Sequence, residues 1–193
     1  CLFTMDDHRT WTEYIHTLGP TPAARLVAKA WLDPEYKKLC IEDGVTASRE
    51  VDIDWVTSPP TQFGTPSDYC NLRVLADTPT LKHVVVCTLC SCYPRFLIGE
   101  PPAWYKSLEY RSRAVSDPRG VLREFGLEVD ADTEVRVYDS SADMRYVVIP
   151  RRPPGSEGLS EEELAAFVTR DSMIGVALTL SPDEAARSSS PLD

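Results

Sequence analysis

The sequence predicts an α+β fold in which a helical N-terminal arm precedes a core of layered antiparallel strands flanked by helices. Three observations predict it. Residues 9–44 carry apolar side chains at helical spacing, punctuated by Pro and Gly; β-branched apolar runs stand on either side of short turn sequences around residues 77 and 140; and helix-capping signals fall between and after those runs. With 193 residues, 42% of them hydrophobic, the chain has material for one well-buried core and little room for a second. The division that follows is an arm over 1–56 that packs on a partner, a core over 57–181 and a flexible tail over 182–193.

The elements follow in order. RTWTEYIHTLG ends at Gly19, TPAARLVAKAWL starts behind Thr21 with Pro22 in its first turn, and DPEYKKLCIEDG repeats the same start and stop. Three short helices of this kind bury little by themselves, hence the expectation of an arm. TSPPTQFGTPS, residues 57–67, is linker chemistry. NLRVLAD and HVVVCTL read as strands separated by a turn at Asp77, Thr78 and Pro79, and EVRVYDS and MRYVVIP read as a second hairpin around SSAD. Between the pairs, PPAWYKSLEYRSRAVSDPRGVLREFG is helical with a break near Pro118. Ser160 followed by Glu163 forms a capping box that starts the next helix, MIGVALTL closes as a strand, and SPDEAARSSSPLD frays.

Thirty acidic against 20 basic side chains give a formal charge of −10, which excludes an electrostatic role on nucleic acid or anionic lipid and favours protein or small-molecule partners. No stretch approaches a membrane span, and CLFTMDDHRTWTEY has neither the basic start nor the long apolar run of a secretory signal. Of six cysteines, Cys87, Cys90 and Cys92 cluster within six residues, while Cys40 and Cys70 stand alone. That distribution favours a metal or redox site in a reducing cytoplasm over a disulfide framework.

The spacing C-x-x-C-x-C lets three thiolates curl around one face of an ion, and the small Ser91 allows so tight a turn. A structural zinc site closes with four ligands. His83 is the nearest further candidate, although on an apolar strand a packed or capping histidine is as good a reading. Three thiolates without an obvious fourth ligand suggest an open coordination position, where a metal acts as a Lewis acid on substrate or water. A catalytic metal claw, structural zinc, a redox dithiol and unmetallated core thiols all remain open on spacing alone.

CTLCSC, preceded by VV and followed by YP, resembles the metal-claw signature of the α-type subunit of nitrile hydratase, which the related subunit of thiocyanate hydrolase shares. PPAWYKSLEYRSRAVSDPRGVL and EVRVYDSSADMRYVVIPRRPPGSEGLSEEELAAFVTRDSMIGVA resemble the same family in the same order, so the similarity spans roughly residues 70–178. The resemblance implies the family's layered α-subunit fold. It also implies a metal site in which Cys87, Cys90 and Cys92 give sulfur ligands and the backbone amides of Ser91 and Cys92 give nitrogen, leaving one position for water or substrate. Cys90 would be oxidised to the sulfinate and Cys92 to the sulfenate, with Cys92, Cys90 and Ser91 as the catalytic group. Thr88 points to low-spin Co(III), one per chain, with iron the lesser candidate.

Further implications are hydration of a small nitrile to its amide, a β-type partner subunit that supplies two arginines and is split into two chains in some relatives, and a metal-loading activator protein. Arg95 departs from the pattern, since many family members place Trp there. It favours a polar or anionic substrate and keeps hydrolysis of thiocyanate to carbonyl sulfide and ammonia as the alternative, beside an interface ion pair and, third, a non-catalytic metal protein. Lys82 and His83 also depart, as does Ser172 where Cys is frequent; the former bear on tuning of the claw and the latter on core packing. Arg111, Arg113, Asp117, Arg119 and Arg123 read as a solvated face or subunit contact, Trp104 and Tyr105 as core or interface, and Glu161–Glu163 as a complement to a helix dipole.

Overall fold

The structure, a computed structural model, describes residues 22–51, 71–90 and 92–188. The expected helix over 9–19, the linker over 57–67, Cys70, Ser91 and the last residues of the tail lie outside the described residues.

The first two helices begin where the sequence places their starts, and a third begins at Gly44, where the sequence reading expects a stop. Helix α1 is Pro22–Leu32, α2 is Pro34–Glu42 and α3 is Gly44–Arg49. The Asp33 carboxylate accepts from the amides of Glu35 and Tyr36, and that of Asp43 accepts from Thr46, so two aspartates satisfy otherwise orphaned N–H groups. Ala23, Ala24, Leu26, Val27, Ala28 and Ala30 of α1 are all buried, and small side chains there allow close approach of neighbouring backbone.

Strands β1 (Asn71–Ala76) and β2 (Leu81–Val86) follow, then α4 (Arg95–Ile98), a 3₁₀ turn at Ala103–Lys106, α5 (Leu108–Ser116) and α6 (Pro118–Glu124). Strands β3 (Glu134–Asp139) and β4 (Met144–Ile149) lead to α7 (Glu161–Ala165), α8 (Arg170–Ile174) and α9 (Pro182–Ser188). Helix α1 packs on α7 and α4, while α2 and α3 pack on β1. The described part of the N-terminal region is therefore built into this chain's own core. Among the described residues, no helix is long and apolar enough to cross a membrane.

The mixture of helices and strands matches expectation, but the antiparallel hairpins do not form. β1 pairs in parallel with β4, from Asn71 opposite Met144 to Ala76 opposite Ile149. β2 pairs in parallel with β3, from Leu81 opposite Glu134 to Val86 opposite Asp139. Each short turn passes the chain from one two-stranded sheet to the other instead of folding a strand back on its neighbour. The reason lies in burial. Val84, Val85 and Val86 of β2 and Val147, Val148 and Ile149 of β4 are consecutive and buried, so both faces of these strands are covered, as in a parallel arrangement with helical crossovers. Turn chemistry marks where the chain bends and leaves the partner strand open.

Two further expectations change near the end. MIGVALTL does not close as a strand: Thr169 and Ser172 cap each other reciprocally to start α8, and Gly175 ends it in the left-handed region at φ 93°. The start of the expected tail is helical, because Ser181 and Glu184 exchange hydrogen bonds across the first turn of α9 and Ala185 is buried beneath it.

A Cβ on Gly175 would stand 2.0 Å from the carbonyl oxygen of His83 on β2, so both the backbone angle and the close approach of α8 to the strand require glycine. Gly175→Ala is expected to destabilise the fold by at least about 2 kcal/mol, read as a lower urea midpoint at unchanged slope.

Candidate metal centre

Parallel pairing fixes where the cysteine loop sits. β2 ends at Val86 and β3 at Asp139, opposite each other, and the ladder continues one step as the Ser140 amide donates to the Val86 carbonyl at 2.7 Å. The cysteine segment thus leaves β2 beside the residues that leave β3. Neither helix nor strand covers Cys87 to Pro94 in the described residues, so the loop's shape depends on side chains reaching it from elsewhere.

The three sulfurs of Cys87, Cys90 and Cys92 all lie within 4.8 Å of one another. Cys87 Sγ is 3.5 Å from Cys90 Sγ and accepts from the Cys90 amide at 3.3 Å, and Cys90 Sγ is 3.1 Å from Cys92 Sγ. Exposure peaks in the middle of the loop: Cys87 is fully buried, Cys90 exposed and Cys92 half-buried. Leu89, at the apex, is 86% exposed. Burial, and then the hydrogen bond with Cys90, pushes the Cys92 thiol up to about 12, while the charge of Arg145 pulls the other way. Three soft sulfur donors converging on one point fit a thiophilic transition metal, whose binding displaces these protons.

Contacts from outside hold both ends of the loop. At its entry, Asp139 accepts from the Thr88 amide at 2.9 Å and from the Thr88 hydroxyl at 2.5 Å. Arg111 of α5 donates through Nε to the Cys87 carbonyl at 3.0 Å and through Nη2 to the Thr88 carbonyl at 2.6 Å. At its exit, the Tyr105 hydroxyl donates to the Cys92 carbonyl at 3.0 Å. Tyr110, next to Arg111, donates to the Val85 carbonyl at 2.7 Å and so ties α5 to the strand that feeds the loop. Tyr105 is fully buried and stacks edge-on against Tyr93 and Trp104 in an aromatic cluster that extends to Phe125.

The remaining candidates fall elsewhere. His83 is buried at the other end of β2, where its amide and Nδ1 both meet the Asp77 carboxylate, at 2.9 and 3.0 Å, and its ring lies on Tyr138. Lys82 pairs with the second oxygen of the same carboxylate at 2.6 Å. These residues lock the start of the strand and do not touch the cysteine loop. Cys40 is buried against Tyr36, and burial pushes its thiol up to about 11, as befits an inert core cysteine. Ser172 is a helix cap. Arg95 opens α4 just after the loop, with Nη1 3.6 Å from Glu100 of this chain and 40% of its side chain exposed. Sequence reasoning missed Asp139 altogether, read Arg111 as part of a solvated face or subunit contact, and read Tyr105 as core or interface.

The sequence matches the family described as nitrile hydratase, alpha chain, over residues 1–177. It is 67% identical over 177 residues to the thiocyanate hydrolase subunit gamma of Thiobacillus thioparus, covering 92% of this chain and 73% of the other. To the high-molecular weight cobalt-containing nitrile hydratase subunit alpha of Rhodococcus rhodochrous it is 50% identical over 177 residues, covering 91% and 82%. Among solved structures, a recombinant thiocyanate hydrolase comprising partially modified cobalt centres superimposes with TM-score 0.84 at 66% identity, over 93% of this chain and 82% of that one. A double mutant of the Fe-type nitrile hydratase from Comamonas testosteroni does so with TM-score 0.74 at 41% identity, over 82% and 72%.

Asp139→Ala removes both acceptors of Thr88. The loss of about 1 kcal/mol of local stability is expected to speed hydrogen exchange of the Thr88 amide roughly fivefold, while amides of β4 exchange as before.

Proposed function

The chain belongs to the nitrile hydratase alpha-chain family and has that family's fold, and from that premise we propose that it is the metal-carrying subunit of a heteromeric thiocyanate hydrolase. One observation carries the choice of substrate: identity to the thiocyanate hydrolase subunit is 67%, against 50% to the cobalt nitrile hydratase subunit, over nearly the same share of this chain. This reverses the order that the sequence reading gives the two activities. Hydration of a neutral nitrile is the second reading, favoured by the family description itself and by several cobalt nitrile hydratase relatives.

Arg95 supports an anionic substrate. It stands at the first residue of α4, directly after the loop, and its ion pair among the described residues is with the partly exposed Glu100 carboxylate at 3.6 Å, a pairing that water weakens. A cation so placed attracts thiocyanate and offers nothing to an uncharged nitrile.

Cys87, Cys90 and Cys92, with the backbone nitrogens of Ser91 and Cys92, would hold the ion. Cobalt is the metal of the reading, on Thr88 and on the cobalt-containing relatives, and the Fe-type neighbour makes iron the alternative. The bound ion supplies Lewis acidity at an open coordination position. Oxidation at Cys90 and Cys92 but not at Cys87 follows the exposure gradient, because oxidants reach the first two and not the third. Oxygen from a Cys92 sulfenate or from water would add to the electron-poor carbon of the substrate; in the first case water then attacks the Cys92 sulfur, the S–O bond to the substrate breaks and the sulfenate is restored. In net terms thiocyanate and two waters give carbonyl sulfide, ammonia and hydroxide, with no external cofactor consumed.

A β-type partner, in one chain or two, covers the loop. Cytoplasmic residence belongs to the same reading, on the clustering of Cys87, Cys90 and Cys92 within six residues.

Elemental analysis and intact mass of the chain purified with its partner are expected to show about one cobalt per chain and about three added oxygens; zinc without added oxygen would return the site to a structural role. Cys90→Ala or Cys92→Ala is expected to lose metal and turnover together, and full turnover in either variant would sink the mechanism. In parallel assays, thiocyanate should be turned over faster than a small aliphatic nitrile, and Arg95→Gln should raise KM for thiocyanate roughly tenfold, about 1.4 kcal/mol, without raising KM for the nitrile.

A further inference from the structure

The geometry points to Arg111 as a positioning residue that pre-forms the cysteine loop for metal binding, through its two hydrogen bonds to successive carbonyls; the inference rests on the metal-centre reading above.

The loop has a mechanical problem. It must hold three sulfurs within 4.8 Å of one another over six residues, and it must do so as they lose their protons and come to repel each other. No ladder or helix holds Cys87 and Thr88 in place. Two adjacent carbonyl dipoles at the entry instead converge on one guanidinium, at 3.0 and 2.6 Å. A planar fork that bridges two successive carbonyls fixes both peptide planes at once, and those planes set the direction in which the chain departs toward Cys90.

Arg111 is also anchored and available for this work. Its neighbours on α5 are Tyr110, tied to the Val85 carbonyl at 2.7 Å, and Ala114, fully buried, so the fork extends from a rigid element packed on β2. The residues three and four positions away on the helix are Ser107, Leu108, Ala114 and Val115, none of them acidic. Arg113, two residues on, is used quite differently: it pairs with Glu109, Asp117 and Glu124 on the outer face. The positive charge of Arg111 faces a loop that will gather negative sulfur, yet its hydrogen bonds go to carbonyls. Its role is therefore geometric first and electrostatic second.

The test compares the parent heteromer with Arg111→Gln, Arg111→Lys and, as control, Arg113→Gln. Each is stripped of metal and titrated with cobalt; affinity, the sulfur-to-cobalt charge-transfer absorption and thermal melting of the metal-free complex are recorded. Both Arg111 variants should bind cobalt 10- to 100-fold more weakly, with a shifted charge-transfer band, while Arg113→Gln matches the parent. Arg111→Lys keeps charge and bulk, and it carries the test should Arg111→Gln fail to assemble. Parent-like affinity and spectrum in Arg111→Lys would overturn the geometric role, since charge alone would then suffice. Weaker binding matched by an equal loss of metal-free thermal stability would overturn it as well, in favour of general folding. A parent complex that takes up no cobalt would overturn the metal-centre reading and this inference with it, whereas a loaded parent with equally loaded variants overturns the inference alone.

Discussion

The parallel pairing of β2 with β3, in the register that sets Val86 opposite Asp139, is the constraint on which the site depends. A cysteine loop leaving a lone strand would have no neighbour to hold it. Because both strands run the same way, their ends coincide, and the acid that terminates β3 meets the first polar residue of the loop, Thr88. The crossover that parallel pairing demands then contributes the second support, since it contains the 3₁₀ turn bearing Tyr105 and the helix bearing Tyr110 and Arg111. One topological fact thus delivers all three clamps to the same loop, two at its entry and one at its exit.

The opposite end of β2 is locked by different means. Asp77 takes hydrogen bonds from the amide and ring of His83 and an ion pair from Lys82, and all three side chains are buried. A buried carboxylate with so many partners holds the strand's start in register, at the desolvation cost common to buried charges. With α8 pressed against His83 through Gly175, the strand is fixed at its base as well as at its tip. The loop therefore hangs from a strand that has little freedom to slide.

What the sequence disclosed and what it hid follow from the range of the interactions. Caps at Asp33 and Ser160 act over two or three residues and were readable, as was the cysteine spacing, because the ligands of the claw are local. Strand pairing is non-local. The turns at Asp77 and Ser140 were visible, but nothing in them says whether the next strand returns to its neighbour or crosses to another sheet, although the unbroken VVV and VVI runs already hinted at strands covered on both faces. The clamps were hidden for the same reason, being 51, 24 and 13 positions from the residues they hold. Arg111 did leave one trace, an arginine on an acid-rich chain with no acid one helical turn away in either direction.

The arrangement also fits the proposed reading of the chain as one subunit of an assembly. Rigidity is concentrated at the loop's two ends, and exposure at its middle, where Leu89 is 86% exposed beside the exposed Cys90. A large apolar side chain held out beside a reactive sulfur gains nothing in water, and it gains burial once another surface closes over it. The same closure would exclude water from the sulfurs and strengthen every charge interaction among them. Of the arginines near the loop, Arg111 is committed to carbonyls and Arg145 to the chain near Ser141. On this view the fold builds the base of a metal site and presents it, pre-shaped, to the surface that completes it.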